Sequence, residues 1–444
     1  EESMRVLAGR RPEVMLLASL LIFATMLTIR ALLDRPAGSV AVDTAAPAPA
    51  PIERSDEGAI GKLQDRIRRN PEDTPAYAQL GLALLQRVRE TADPTLYPRA
   101  EAAFAEALKR DPQQFDALLG EGSLALSRHQ FADALRWGER ASALNPYNAP
   151  AYGIIGDART ELGQYEAAAA TIQKMVDTRP DLNSYSRVSY MRELHGDSAG
   201  AIQAMQQAVE AGGQLSEATL WTQVQLGHLY FNRGDLTNAE QTYMAALEAR
   251  PDYVYALAGI ARVRAAQGRY DEAIGAYQEI VKRLPLPEFV IALGDIYDAT
   301  GRPAEAKRQY DLVRAMQQLN ASAGVDVDME LSLFDADHGA DPAATVDRAR
   351  AAYTRRPSIY GADALGWALY HAGDYAEARR YSQEAMRLGT RDAVLYYRAG
   401  MIAYALNDHA TARADLEQAL AINPFFSVPY APTARATLEK LRQP

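Results

Sequence analysis

The sequence predicts an all-α fold, a solenoid of about ten helical hairpins, and two recurring markers carry that prediction. Several marker intervals, including Pro112 to Pro146 and Gly234 to Gly268, are 34 residues. Two independent markers with one period indicate a chain built from repeated units. The first marker is a glycine followed five residues later by an alanine, at Gly163/Ala168, Gly196/Ala201, Gly234/Ala239, Gly268/Ala273, Gly301/Ala306 and Gly373/Ala378. The second is a proline between units, at Pro112, Pro146, Pro180, Pro251, Pro285, Pro357 and Pro424.

Each marker has a physical role in a pair of helices. The glycine allows the left-handed backbone that ends a first helix. The alanine permits a close crossing of the second helix on the first, and the proline cannot continue the second helix. Between glycine and proline there is room for a helix of about 13 residues with apolar side chains at i, i+3 and i+4. Ala239, Tyr243, Ala246 and Leu247 form one such stripe.

The pattern resembles the tetratricopeptide repeat family over roughly residues 56–430. One unit matches the family pattern at Leu226, Gly227, Tyr230, Ala239, Tyr243, Ala246 and Pro251. The resemblance implies a right-handed superhelix in which the first helix of each hairpin lines a concave groove. We expect a capping helix at 56–73, about ten hairpins over 74–426 and a C-terminal capping helix at 427–444. Three units depart from the pattern, at Gln130, at Ser189 and through the eighth unit, 326–358.

The segment 14–33 is long and apolar enough to form one transmembrane helix ahead of the repeats. We interpret it as an uncleaved signal anchor; a cleaved signal peptide is the alternative. Residues 1–13 would be a short cytoplasmic N-terminus and 34–55 an Ala/Pro-rich linker, semi-rigid and extended. The arginines flanking the segment favour repeats on the extracytoplasmic side. The expected location is the bacterial inner membrane.

Composition and motifs argue against several classes of function. The formal net charge of −10 disfavours a nucleic-acid partner, and the chain has no cysteine for a thiolate site or nucleophile. We find no phosphate-binding loop, zinc motif or nucleophile elbow, so we expect no enzyme activity, no cofactor, no catalytic residues and no metal. The acidic stretch 326–341 does not match a calcium-loop spacing. We interpret it as solvated surface; a weak metal or basic-partner site is the alternative.

The groove implied by the resemblance supplies the candidate binding residues. Aromatic side chains with one polar end are typical of recognition surfaces. We therefore predict a membrane-anchored scaffold that binds a protein or peptide partner, and organises an envelope assembly; a periplasmic polysaccharide binder is the alternative. The predicted contacts are Tyr360, Asp363, Trp367, Tyr370, Tyr397, Met401 and Tyr404, with Trp221, Phe231, Tyr255 and Arg262 as a second set.

Overall fold

The computed structural model describes residues 55–213 and 216–442, and these residues form α-helices joined by short turns with no β-strand. The predicted all-α solenoid is therefore confirmed for this part of the chain. The helices are α1 (Ser55–Arg69), α2 (Thr74–Thr91), α3 (Tyr97–Arg110), α4 (Phe115–Ser127), α5 (Phe131–Leu144), α6 (Ala149–Glu161), α7 (Tyr165–Thr178), α8 (Leu182–Leu194), α9 (Ser198–Ala211), α10 (Glu217–Asn232), α11 (Leu236–Ala249), α12 (Val254–Ala266), α13 (Tyr270–Arg283), α14 (Pro287–Ala299), α15 (Pro303–Ser322), α16 (Asp328–Asp337), α17 (Pro342–Arg355), α18 (Ile359–His371), α19 (Tyr375–Ala385), α20 (Ala393–Ala405), α21 (His409–Ile422) and α22 (Tyr430–Arg442).

The helices from α2 to α21 associate as ten consecutive pairs, hairpins 1 to 10, with α1 and α22 packed at the two ends. In hairpins 1, 5 and 7 an aromatic side chain of the second helix lies at the close approach, and in hairpins 3 and 10 an isoleucine or a leucine takes its place. Tyr243 is fully buried between Gly227 of its own hairpin and Gly259 of the next. A Cβ would lie 2.3 Å from the Tyr243 ring at Gly227 and 2.6 Å from it at Gly259. Phe104 occupies the same position between Gly81 and Gly120, so the glycines make room for the rings.

Turns without the expected glycine use other residues with positive φ. His129 has a φ of 58° in the turn of hairpin 2, beside Gln130, and Asn407 has a φ of 59° in hairpin 10. Hairpin 8 does contain the glycine-to-alanine spacing, at Gly339 and Ala344, and it turns at Gly339 with a φ of 75°, but its buried residue is Thr345 instead of the alanine. Ser189 of hairpin 4 donates a hydrogen bond from Oγ to the Ala201 carbonyl across the helix pair, at 2.7 Å. The three irregular units thus keep the hairpin architecture.

The solenoid coils tightly enough for one superhelical turn to touch the next. The turns of hairpins 2 to 5 contact the junctions that follow hairpins 7 to 10. Most of their hydrogen bonds join residues 192 to 198 positions apart, which is between five and six repeats. The Asp326 N–H donates to the Arg128 carbonyl at 2.9 Å, and Thr390 Oγ1 donates to the Leu194 carbonyl at 2.5 Å. We call these the inter-turn contacts.

A buried ion pair lies within the inter-turn contacts. Arg356 Nε donates to Glu161 Oε2 at 2.7 Å, and Arg356 also pairs with Glu330 at 3.0 Å. The Arg356 guanidinium lies 4.9 Å from the centre of the Phe131 ring. Burial opposes the charge on Arg356, but the neighbouring carboxylates outweigh that effect and raise its pKa. The two superhelical turns are therefore joined by charge as well as by backbone hydrogen bonds.

No helix in residues 55–213 or 216–442 is long and apolar enough to cross a membrane. The predicted transmembrane segment 14–33 lies outside the described residues. The same holds for residues 1–13 and for the linker up to residue 54.

Candidate interaction site in the last two hairpins

Four aromatic side chains of the C-terminal part pack together into what we call the C-terminal aromatic cluster: Trp367, Tyr370, Tyr397 and Tyr430. Trp367 and Tyr370, one helical turn apart on α18, stack with ring centres 4.6 Å apart and an interplanar angle of 4°. Tyr397 on α20 lies 6.0 Å from Trp367. The structure therefore brings together three of the aromatic residues predicted from the sequence. Offset stacking of this kind adds to the stabilisation from burial alone.

The segment leading into α22 covers the cluster. Tyr430 stacks on Tyr397 at 4.6 Å and meets Trp367 edge-on at 6.1 Å. Phe426 lies 5.8 Å from Tyr397. Sequence reasoning missed Phe426 and Tyr430, although Pro424 and the aromatic residues after it mark the end of the repeats. As a result Trp367 is only 3% exposed and Tyr397 is only 4% exposed, so both are core residues here.

Charged side chains hold Trp367 in place, and two of them, Arg398 and Asp363, are buried. Trp367 Nε1 donates to Asp337 Oδ1 at 2.7 Å, and Arg398 donates to Asp363. The Arg398 guanidinium lies 5.3 Å from the centre of the Trp367 ring. Burial raises the pKa of Asp363, against the opposing effect of Arg398. These pairings hold the Trp367 indole in one orientation. A ligand that binds nearby therefore spends no free energy on ordering this side chain.

The accessible part of the site is an edge beside the turns of hairpins 9 and 10. We call it the aromatic edge and define it as Tyr370, His371, Tyr375 and Tyr404. The Tyr370 and Tyr375 rings lie 5.6 Å apart, and Tyr370 lies 5.3 Å from His371. His371 is exposed, whereas the three tyrosines are partly buried. Met401, also predicted from the sequence, is partly buried and packs against the same core. This edge offers ring faces and hydroxyl groups to a ligand.

Two other predicted residues of hairpin 9 lie in the core. Tyr360 is 2% exposed and belongs to one hydrophobic core with Tyr165 and Met191 from the previous superhelical turn. Burial raises the pKa of Tyr360 well above its ordinary value. Asp363 is also buried, in its pairing with Arg398. Because side chains of the same protein already cover Tyr360 and Asp363, a binding partner can reach these two residues only if the covering side chains move.

In the second predicted set, in hairpins 5 and 6, two residues lie in the core, and Tyr255 and Arg262 are partly buried. Trp221 meets Tyr255 edge-on at 4.5 Å, and both Trp221 and Phe231 are buried. The Arg262 guanidinium lies 3.9 Å from the centre of the Phe231 ring. Nearby, the partly buried His228 ring shares a hydrogen bond of 2.7 Å with the Tyr243 hydroxyl, and desolvation lowers the pKa of His228 to about 3. The imidazole is therefore neutral at physiological pH.

The acidic stretch 326–341 is largely paired with arginine. Asp326 and Asp328 both accept hydrogen bonds from Arg355, and the buried Asp335 accepts one from Arg348 at 2.6 Å. The stretch thus holds α16 against α17 rather than forming only a solvated surface. Within residues 55–213 and 216–442, no three His, Cys, Asp or Glu side chains are grouped so that they could hold a metal ion.

Comparison with known proteins identifies the repeat. Models of the tetratricopeptide repeat match residues 95–149 and 224–286, and a second model of the same repeat matches 149–182 and 393–426. These stretches include hairpins 2, 3, 6 and 10 and most of hairpin 5 as the structure describes them.

Individual relatives match only in part. Tetratricopeptide repeat protein 37 of Xenopus laevis is 26% identical over 247 residues, which are 52% of this chain and 15% of that protein. Cellulose synthase 1 operon protein C of Komagataeibacter xylinus is 27% identical over 215 residues, 48% of this chain and 14% of that protein. The chain thus spans less than a fifth of either relative. A structure of a human IFIT1 dimer with PPP-AAAA has a TM-score of 0.47 and 16% identity, covering 75% of this chain and 78% of that one.

Proposed function

We propose that this chain, which contains tetratricopeptide repeats, is a non-enzymatic scaffold that binds a protein or peptide partner through its aromatic edge. The observation that carries the proposal is the combination of a rigid buried cluster with a partly exposed rim of tyrosines. Tyrosine supplies a large contact area while losing little rotamer freedom, and interface hot spots are rich in it. Trp367 and Arg398 hold Tyr370 in place from behind.

Burial of Trp367 and Tyr397 changes which residues best test this proposal. Truncating either would empty the core and confuse loss of folding with loss of binding. Tyr404 and Tyr370 are partly exposed, and Tyr404 stacks on the exposed His409 at 6.1 Å. Their truncation removes contact area for a ligand at a smaller cost in stability. Tyr396 is partly buried like Tyr370 and Tyr404, but it lies outside the aromatic edge. It therefore provides a matched control.

We further propose that the repeats are tethered to the inner membrane by residues 14–33, lie on the extracytoplasmic side and take part in assembling the cell envelope. The apolar run and the Ala-Pro linker in the sequence support the tether. The likeness to an operon protein named for cellulose synthase supports a role at the envelope. A tethered scaffold would gather its partner at the membrane surface through effective concentration.

The test is cross-linking and capture from membranes that contain the full chain, followed by binding measurements with the captured protein. We expect Tyr404→Ala and Tyr370→Ala to weaken binding by about 2 kcal/mol, as hot-spot aromatics do. Tyr396→Ala should bind like the unaltered chain. If all three variants bind equally well while retaining full helicity by circular dichroism, the aromatic edge is not the binding site.

Polysaccharide binding is the second candidate, because the partly exposed tyrosines of the aromatic edge could also stack on sugar rings. A carbohydrate array probed with the full chain separates the two candidates. Binding to glycans that Tyr404→Ala removes would favour the polysaccharide. Capture of a protein together with an unreactive array would favour the scaffold.

A further inference from the structure

The inter-turn contacts follow a simple pairing rule. A hairpin turn presents its backbone to the junction that joins two later hairpins, and the junction often contains a proline. A Cβ on Gly163 would lie 2.3 Å from the Pro357 carbonyl oxygen, and one on Gly234 would lie 3.1 Å from Pro424 Cδ. Asn423 Nδ2 donates to the Phe231 carbonyl in the turn of hairpin 5 at 2.9 Å. Turn and junction are thus complementary surfaces.

In the later hairpins the turns have the same shape, but no junction of the described residues covers them. We call their turns the open turns, marked by Gly268, Gly301, Gly339 and Gly373. Each glycine has a φ between 72° and 83°, the conformation also found at Gly163 and Gly234 in the occupied turns. Apart from the two adjacent residues in the chain, a Cβ at any of the four would meet no atom of the described residues within 4 Å. The same backbone shape is therefore repeated but uncovered.

The early hairpins present the junction half. Asn145-Pro146-Tyr147, between hairpins 2 and 3, repeats the pattern of Asn423-Pro424-Phe425. In both, the asparagine Oδ1 accepts the N–H two residues on, at 3.1 Å for Asn145 and 2.8 Å for Asn423. The asparagine backbones also agree, with φ and ψ of −139° and 91° at Asn145 and −149° and 108° at Asn423. Yet Asn145 is exposed, and Tyr147 is 87% exposed.

We propose that a second copy of this chain completes the pairing: the Asn145–Tyr147 junction of one copy docks on an open turn of another. The occupant follows from the structure, because the chain already makes this contact with itself through Asn423. The two surfaces differ, so the contact is heterologous and leads head to tail from copy to copy. The second copy continues the superhelix where the first one ends. This inference goes beyond the proposed function. The Asn145–Tyr147 junction lies on other hairpins than the aromatic edge, whereas the open turn at Gly373 adjoins that edge.

Site-specific cross-linking tests the proposal well because the natural chain has no cysteine. One copy carries Tyr147→Cys, and the other carries a cysteine beside an open turn, from Gln267→Cys, Ala299→Cys or Ala372→Cys. All four positions are exposed, so the substitutions cost little stability. The full-length proteins are mixed in mild detergent and treated with a short bismaleimide. We expect Tyr147→Cys to cross-link with at least one open-turn variant and not with itself.

The control for random collision is Met244→Cys, which is exposed on α11 away from both surfaces. Cross-linking of Tyr147→Cys no stronger to the open turns than to Met244→Cys would overturn the proposal, as would preferential cross-linking of Tyr147→Cys to itself. In sedimentation of the otherwise unaltered chain, Tyr147→Asp should weaken self-association about tenfold or more, as loss of an anchoring aromatic does. A chain that stays monomeric at all concentrations also refutes it. Tyr147→Asp leaves the aromatic edge intact, so a loss of self-association can be distinguished from a loss of partner binding.

Discussion

Replacing Arg356 with alanine should be among the most damaging single changes to the superhelix. The side chain is buried and pairs with Glu161, which is also buried, and with the partly exposed Glu330. Removing the guanidinium leaves the Glu161 carboxylate in a site with little water. Breaking a buried ion pair from one side typically costs about 3–5 kcal/mol. The change also removes the cation over the Phe131 ring.

The neighbouring arginine supplies a matched control. Arg355 also bridges two carboxylates, Asp326 and Asp328, but its side chain is 47% exposed, against 7% for Arg356. Exposed pairs contribute only about 0–1 kcal/mol, because water solvates the charges and salt screens them. Arg355→Ala should therefore change stability little, although it removes the same chemical group one residue away.

The assay is urea unfolding followed by circular dichroism and by tryptophan fluorescence. The three tryptophans lie in hairpins 2, 5 and 9, so fluorescence reports on both superhelical turns. Coincident transitions by the two probes would justify a two-state free energy. Equal losses for Arg356→Ala and Arg355→Ala, or a loss below about 1 kcal/mol for Arg356→Ala, would refute the claim that the buried pair joins the turns.

Three further predictions concern other parts of the chain. Burial raises the pKa of Asp392 to about 7. Because the unfolded chain loses this proton near pH 4, the neutral carboxyl stabilises the fold fully below about pH 4, and this stabilisation is lost as the pH rises towards 7. Asp392→Asn should flatten that dependence in urea melts and raise stability above pH 7; an unchanged pH profile would exclude Asp392 as the cause. Ala273→Leu, at a fully buried crossing, should lower stability by about 1–3 kcal/mol, and an unaltered melting curve would contradict the assigned crossing. Deleting residues 1–51 should release a folded soluble fragment in fractionation; full-length protein already found in the soluble fraction would rule out the anchor.

Local features of the sequence were enough to predict the hairpins. A turn needs a residue with positive φ, a crossing needs a small side chain, and the end of a second helix favours proline. These three requirements place glycine, alanine and proline at fixed spacing. Even the exceptions obey the same physics. His129 takes the positive φ that glycine has elsewhere, and Ser189 makes its close approach through a hydrogen bond.

The burial of the predicted binding residues could not be read from the sequence. Whether an inward side chain is exposed depends on the superhelical pitch, which sums small rotations over five or six hairpins. Tyr360 looks like a groove residue within its own repeat, but it shares a hydrophobic core with residues about 170 to 195 positions earlier in the chain. Trp367 is covered by Tyr430, beyond the last repeat. The role of these residues in binding stays a prediction, while Tyr370 and Tyr404 keep accessible surface.

The spacing of the inter-turn contacts has a consequence for how the chain is made. Each hairpin can form as soon as its own two helices leave the ribosome, because its partners are adjacent. The turn at His129, however, waits for Asp326, which lies 197 residues further on. At a synthesis rate of about 5–20 residues per second, that delay is roughly 10–40 s. During that interval the early hairpins stand with uncovered turns, and this is when a chaperone or a finished copy of the chain could bind them.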